Sequence, residues 1–308
     1  MNVAVAAPRT RDALIPFVFE HASVRGALVS LDATSRSVLG SHDYPPPLAR
    51  SLAELLAASA LLASSLKLDG SLIVQLSGDG PVRLLVVECD DTLHLRGTAQ
   101  WDAERVAALP ADASLADLAG GSAQGRLALT LDPRDAGALY QGIVSLDATS
   151  IAASIEHYLA TSEQLPSRLW LRVDAGCVRG LLLQRLPGHE ADGNATWARL
   201  GVEADAGVRT ALEKPHFAQI LQTIFAHDDL RVFDAQAVTF RCRCSVARVA
   251  NALRIAGRDE IEAALAERGV IDVTCEFCNR RYSFTPAEAR ALVAGADPAS
   301  SEPTGVMR

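Results

Sequence analysis

Four of the chain's six cysteines fall in two clusters, Arg241-Cys242-Arg243-Cys244 and Cys275-Glu276-Phe277-Cys278. Residues 245 to 274 lie between them, so the pattern is Cys-x-Cys, a thirty-residue spacer, then Cys-x-x-Cys. Four thiolates brought together from two short loops make a tetrahedral site suited to zinc, which takes sulfur readily and has no d-electron preference for another geometry. Cys-x-x-Cys alone is common, as a zinc knuckle and as a redox motif. Cys-x-Cys is rarer. Its two sulfurs can reach one metal, whereas a disulfide across a single residue closes a small, strained ring. The pair of clusters points to an all-thiolate site at Cys242, Cys244, Cys275 and Cys278, holding one Zn2+ per chain.

Two readings of that site stand side by side. One is a structural zinc knob. The other is a metal whose loss has consequences. The module is small, so metal binding would supply much of its folding free energy, on the order of 10 kcal/mol or more. Arg241, Arg243, Arg280 and Arg281 flank the sulfurs, and nearby positive charge favours the thiolate. An amphipathic segment directly precedes the module. A third reading, a nucleic-acid-binding zinc ribbon, needs a basic footprint. Residues 241 to 308 hold ten arginines and nine acidic residues, a balance of +1.

The elements that must carry this site divide the chain into four stretches. Residues 1–186 read as a β-rich α+β domain. Strands are expected at Val24–Leu31, Leu72–Leu76, Val82–Val87, Leu93–Gly97, Leu127–Leu131, Ile143–Leu146, Leu169–Val173 and Leu181–Leu186. Pro45-Pro46-Pro47 opens a long apolar helix from Leu48 to Lys67, and a second helix runs from Ile151 to Ala160. Most strand connections are too short for crossover helices, so antiparallel neighbours are expected. Residues 187–240 form a linker, opened by a Pro-Gly loop and helical from Ala195 to Asp234. Phe217, Ile220, Leu221, Ile224 and Phe225 fall at i, i+3, i+4, i+7 and i+8, an apolar stripe that must lie against another surface. That surface is expected to be the first domain.

Residues 241–293 form the metal module. Ser245 is the expected N-cap of a helix ending at Gly257. Asp259 with Glu262 resembles a capping box for a helix closed by Gly269. Val270–Thr274 and Tyr282–Phe284 flank the second cysteine pair as strands, and Thr285-Pro286-Ala287-Glu288 is another capping box, with proline at the first helical position. Residues 294–308 read as a disordered tail.

Composition excludes several classes. The chain has 308 residues, 49% hydrophobic, with a formal net charge of −8. That argues for folded domains and against a dedicated nucleic-acid binder. The stretch Leu52–Leu66 contains Glu54 and falls short of a membrane span, and Met1–Ala7 is too short for a secretory signal. A cytoplasmic location follows, where thiols stay reduced and clustered cysteines mean metal or redox sensing. Cys89 and Cys177 are isolated and take no role. The seven histidines show no ligand spacing. Gly78-Asp79-Gly80 lacks the following helix that a phosphate loop needs. With no nucleophile elbow or nucleophile–base pair evident, nothing points to an enzyme.

Several stretches together resemble one family. They are Val238-Thr239-Phe240-Arg241-Cys242-Arg243-Cys244-Ser245, Arg248, Asn251-Ala252-Leu253, Asp272-Val273-Thr274-Cys275-Glu276-Phe277-Cys278 and Tyr282-Ser283-Phe284. Gly78-Asp79-Gly80-Pro81, Tyr140-Gln141-Gly142-Ile143-Val144, Ser162-Glu163-Gln164-Leu165-Pro166 and Gln184-Arg185-Leu186-Pro187-Gly188 belong with them. The chain is similar, from about residue 14 to 293, to the bacterial thirty-three-kilodalton chaperonin family of redox-regulated heat-shock chaperones. It departs at Ala175-Gly176-Cys177-Val178-Arg179-Gly180, where a plainer glycine turn is expected. The resemblance implies a β-rich N-terminal domain, a helical linker packed on it and a C-terminal zinc domain. It also implies an ATP-independent holdase, idle while Cys242, Cys244, Cys275 and Cys278 hold zinc. Oxidation would form Cys242–Cys244 and Cys275–Cys278 disulfides, release zinc, unfold the linker and expose surface to unfolding client proteins. The resemblance implies a homodimer on activation.

Overall fold

A computed structural model describes residues 11–66, 69–121, 125–135, 137–146, 150–187 and 193–294. The chain divides into two compact units, Met1–Arg241 and Cys242–Arg308. The expected tail lies outside the described residues beyond 294, as do the N-terminal stretch, Lys67 and the centre of the loop at 187–194.

The first unit runs β1 (Ala13–Phe19), β2 (Val24–Leu31), α1 (Ala33–Leu39), α2 (Pro46–Ser65), β3 (Gly70–Ser77), β4 (Val82–Asp90), β5 (His94–Trp101), α3 (Ala103–Ala107), α4 (Leu115–Ala119), β6 (Arg126–Pro133), β7 (Tyr140–Ser145), α5 (Ile151–Thr161), β8 (Ser167–Asp174) and β9 (Cys177–Arg185). It continues through α6 (Gly193–Ala211), α7 (Phe217–Ile224), β10 (Leu230–Val232), β11 (Gln236–Ala237) and β12 (Thr239–Phe240). The second unit holds α8 (Val246–Ala256), α9 (Arg258–Arg268), β13 (Ile271–Thr274), β14 (Arg281–Phe284) and α10 (Pro286–Val293). The architecture is α+β.

Two sheets make up the first unit. One has the order β10-β1-β2-β9-β8, with β11 also on β1; the other is β12-β5-β4-β3-β6-β7. Helix α2 touches strands of both sheets. Its Leu48, Leu52, Leu55, Leu56 and Leu61 are wholly buried, among Leu14, Val29 and Leu182 of one sheet and Leu72, Val74 and Val87 of the other. A helix apolar over most of its surface belongs in such a place. It is the one described helix long and apolar enough to cross a membrane, and here it is mostly buried within the protein.

Two glycine sites explain features that the sequence left open. A Cβ on Gly80 would lie 2.1 Å from the Gly120 nitrogen. Gly78-Asp79-Gly80 is thus a hairpin loop pressed against the end of α4, where backbone meets backbone. Between β8 and β9, Ala175 and Gly176 have φ of 46° and 81°, and Asp174 pairs with Cys177. This is a two-residue hairpin of the primed kind, whose twist matches the strands.

The sheet containing β1 is apolar on both faces. Its second face carries Phe17, Phe19, Val24, Leu28, Leu181 and Leu183, and α6 and α7 cover it with Leu200, Ala204, Val208, Ile220, Leu221 and Ile224. The helical expectation for 195–234 requires correction. Helix breaks after Ala211 and ends at Ile224, and Leu230–Val232 is a strand on β1. A short strand supported by a neighbour's edge has no periodicity of its own to reveal it.

Candidate metal centre

The second unit is built around a small core of Val249, Ala250, Ile261, Leu265, Ile271, Tyr282, Phe284, Ala289 and Leu292. Local chemistry sets its helices. Ser245 Oγ accepts from the Arg248 N–H at 3.2 Å and starts α8. Thr285 and Glu288 form the full capping box of α10. Gly269, at φ 73°, closes α9. The expected Asp259–Glu262 box does not form. Helix α9 begins at Arg258 after Gly257, so Asp259 already lies inside it. Glu262 instead accepts two bonds of 2.8 Å from the fork of Arg290, a geometry that two parallel N–H groups favour.

The cysteines come from two supports. Cys242 and Cys244 lie on the extended stretch before α8. Cys275 and Cys278 lie in the loop between β13 and β14, whose register runs from Ile271 opposite Phe284 to Thr274 opposite Arg281. The Cys275 N–H donates to the Arg280 carbonyl at 2.9 Å and the Asn279 N–H to the Cys275 carbonyl at 2.8 Å. Asn279 takes φ 57°, a conformation asparagine tolerates better than most residues.

All four Sγ atoms lie within 4.8 Å of one another, and all four residues are half-buried. Cys242 and Cys275 approach to 3.6 Å, Cys244 and Cys278 to 3.4 Å. The thiols are free. A sulfur tetrahedron around zinc with bonds of about 2.3 Å has edges of about 3.8 Å, so the observed spacing suits a metal. It is far too wide for disulfides, whose sulfurs bond at about 2.05 Å.

The electrostatics point the same way. Burial raises the Cys242 and Cys278 thiols. The other three thiols add to the effect at Cys278. At Cys242, the thiols of Cys244 and Cys275 add to it, whereas that of Cys278 offsets part of it. Burial also pushes Cys244 up, but hydrogen-bonding interactions with Tyr282 and the other cysteines outweigh it and hold the thiol below its ordinary value. Four adjoining thiols cannot all ionise without a cation between them, which is what a dication provides. Arg280 interacts with the charge of Cys244 and Cys278. Arg281 is turned to Asp272 instead. Tyr282 was not legible as part of the site. Its hydroxyl is buried without a conventional hydrogen bond, yet it lies near enough to Cys244 to favour the thiolate. The in–out alternation of Tyr282 and Phe284 on β14 was the available signal.

Cys89 is fully buried, and burial raises its thiol far from reactivity. Cys177 is half-buried beside the β8–β9 turn and is also raised by burial.

In the first unit, Ile220, Leu221, Ile224 and Phe225 are buried over the second face of the β1 sheet, and Phe217 packs there half-buried. The segment then threads past both sheets. Val238 is wholly buried, and its carbonyl accepts from Thr34 Oγ1 at 3.0 Å. Thr239 and Phe240 lie parallel to His94 and Leu95 of β5, and the Arg241 N–H donates to the Leu95 carbonyl at 2.9 Å. The next residue is the first cysteine.

A sequence model of the family described as Hsp33 protein matches residues 12–285. The chain belongs to the Hsp33 family. Among its relatives, the 33 kDa chaperonin of Ectopseudomonas mendocina is 41% identical over 285 residues, covering 91% of this chain and 94% of its own. That of Shewanella oneidensis is 42% identical over 286 residues, covering 92% and 96%. The crystal structure of the 33 kDa chaperonin from Thermotoga maritima superposes with a TM-score of 0.78 at 22% identity, covering 92% of this chain and 98% of that one. It shares the fold. This Hsp33 chain is thus a member of a chaperone family, with a four-cysteine cluster able to hold a metal ion.

Proposed function

We propose that this Hsp33 chain is an ATP-independent holdase, a binding protein and not an enzyme, switched on by oxidation of its four-cysteine centre. The observation that carries the reading is the convergence of Cys242, Cys244, Cys275 and Cys278 within 4.8 Å, free and half-buried. In the reduced state these residues would hold one Zn2+, which when bound neutralises adjoining thiolates. The chain would reside in the cytoplasm, where such thiols stay reduced.

Thiolates at a half-buried site are open to peroxide. Each pair of thiolates passes two electrons to one peroxide and takes up two protons from solvent in the process, giving one disulfide and two waters. Two peroxides therefore convert four thiolates to Cys242–Cys244 and Cys275–Cys278. This pairing of sequence neighbours is the one the family resemblance implies. The charge that held the dication is then gone. A core of nine buried residues among those described is small to stand without it. Loosening of the module would release the linker, beginning at Arg241 and β12. The faces of Phe217, Ile220, Leu221, Ile224 and Phe225, and the sheet beneath them, would then meet unfolding clients. Activated chains would pair as homodimers.

The test measures zinc content and free thiols before and after peroxide, beside light scattering of a heat-unfolding client. One zinc and four reactive thiols should be lost together as scattering is suppressed. Suppression that is equal in the reduced, zinc-loaded protein would refute the switch. Nitrogen or oxygen ligands in X-ray absorption would refute the all-thiolate site.

A further inference from the structure

Strand β1 pairs with β2 on one side, and the chain's own later segment covers its other side. Val232, Arg231 and Leu230 stand opposite Phe17, Val18 and Phe19, and Ala237 and Gln236 opposite Ala13 and Leu14. The ladder extends at Phe233 N–H to Pro16 O, 3.0 Å, at Val238 N–H to Asp12 O, 3.1 Å, and at Glu20 N–H to Asp229 O, 2.9 Å. The even-numbered residues of β1 thus turn their backbone groups to this edge. Pro16 is one of them and has no N–H to offer. Proline within a sheet is confined to edges for this reason, so β1 is built as an edge strand although it is covered. The covering strand breaks where Pro16 stands, into β10 and β11.

The cover also shows what the edge accepts. Leu230 and Val232 pack on the aromatic core of Phe17 and Phe19. Between them Arg231 forks onto Glu20, with bonds of 2.7 and 2.8 Å. We propose that, once the linker leaves, the β1 edge from Asp12 to Glu20 pairs with an extended client segment carrying a cation between two apolar residues, and that β10 is the internal occupant of that site. Backbone pairing supplies affinity independent of sequence, and the alternating side chains supply preference. Pro16 limits the pairing to short runs, which keeps two activated chains from zipping edge to edge. This proposal rests on the holdase reading above and names its client surface.

The test uses oxidised full-length protein and a fluorescein-labelled peptide of residues 228–238, read by anisotropy. Three peptides are compared: the parent, one with Arg231→Pro, which lacks the amide opposite Val18, and one with Arg231→Glu. The parent should bind at least tenfold more tightly than either variant, and saturating parent peptide should displace an unfolded client. A Glu20→Arg chain should reverse the preference between the parent and Arg231→Glu peptides, which a merely structural role for Glu20 would not do. Equal binding of the parent and Arg231→Pro peptides, or no binding, would overturn the edge. Client capture undiminished at saturating peptide would overturn it as the client surface and leave the holdase reading standing. An oxidised chain that never suppresses aggregation would sink the holdase reading, while the peptide measurement, made without client, still decides the edge.

Discussion

The rings of Phe19 and Phe225 meet edge to face, their centroids 5.1 Å apart and their planes at 83°. Phe19 belongs to the β1 sheet, and Phe225 follows the last turn of α7. This contact, with Phe17 6.2 Å from Phe225, ties the linker to the sheet it covers. Each large apolar side chain in such a contact is worth roughly 1.5–3 kcal/mol of burial. Phe225 shares this cover with Leu200, Ala204, Val208, Ile220, Leu221 and Ile224.

Ile220 lies among them, 2% exposed. Ile220→Asp puts an unpaired carboxylate there, at a cost of about several kcal/mol unless the segment opens. The variant should suppress aggregation of a heat-unfolded client without oxidant, while four cysteines still hold zinc. Light scattering and a zinc assay on the same sample check this. A variant as idle as its parent until oxidised would place the gate elsewhere.

Helix α6 carries Gly201 and Gly207 in its interior, and each glycine weakens a helix by about 1 kcal/mol relative to alanine. A Cβ at Gly207 would meet Ile224 Cα and Cγ1 at 3.5 Å, an ordinary contact. Gly207→Ala should therefore fit and stiffen the linker. At fixed peroxide, thiol loss should keep its rate while client protection appears more slowly. Parallel thiol titration and scattering time courses separate the two.

Ala175 holds φ 46° at the first turn position of the β8–β9 hairpin, where a Cβ-bearing residue other than asparagine or aspartate is disfavoured. Ala175→Asn should raise stability by about 0.5–1 kcal/mol, seen as a higher thermal midpoint. Activation by oxidant should be unchanged.

Asp90 closes the β4–β5 turn. It accepts from the Thr92 N–H at 3.0 Å, Thr92 Oγ1 at 2.7 Å and the His94 N–H at 2.9 Å, and meets His94 Nδ1 at 3.2 Å. Burial alone would raise this carboxyl, but those bonds outweigh it and lower it to about 2 from an ordinary 3.8. A depressed folded value means stability present above pH 3.8 and lost as pH falls towards 2. Asp90→Ala should destabilise the first unit by about 1–3 kcal/mol at pH 7, with the difference from the parent shrinking over that acid window. Urea midpoints at several pH values read it.

The sequence by itself determined the features that depend on neighbours a few residues apart. Cys242, Cys244, Cys275 and Cys278 were legible as a cluster able to hold a metal ion, because metal geometry constrains ligand spacing locally. Ser245, Gly269 and the Thr285–Glu288 box were legible because caps act within one turn. The largely apolar run at 48–62 announced a helix that must be enclosed. Tertiary structure decided the rest. Pro16 interrupts the alternation of β1, and its strand character comes from β2 beside it. Leu230–Val232, Gln236–Ala237 and Thr239–Phe240 are strands because edges of β1 and β5 receive them; two or three residues have no periodicity of their own. Asp259 lost its cap because the helix starts two residues earlier, at Arg258 after Gly257, and the guanidinium of Arg290 claimed Glu262. Tyr282 reached Cys244 because β13–β14 register turned it inward. Spacing and propensity act along the chain over one turn or one pleat, whereas pairing edges and shared buried faces join residues as distant as Phe19 and Phe225, and those are fixed when the surfaces meet.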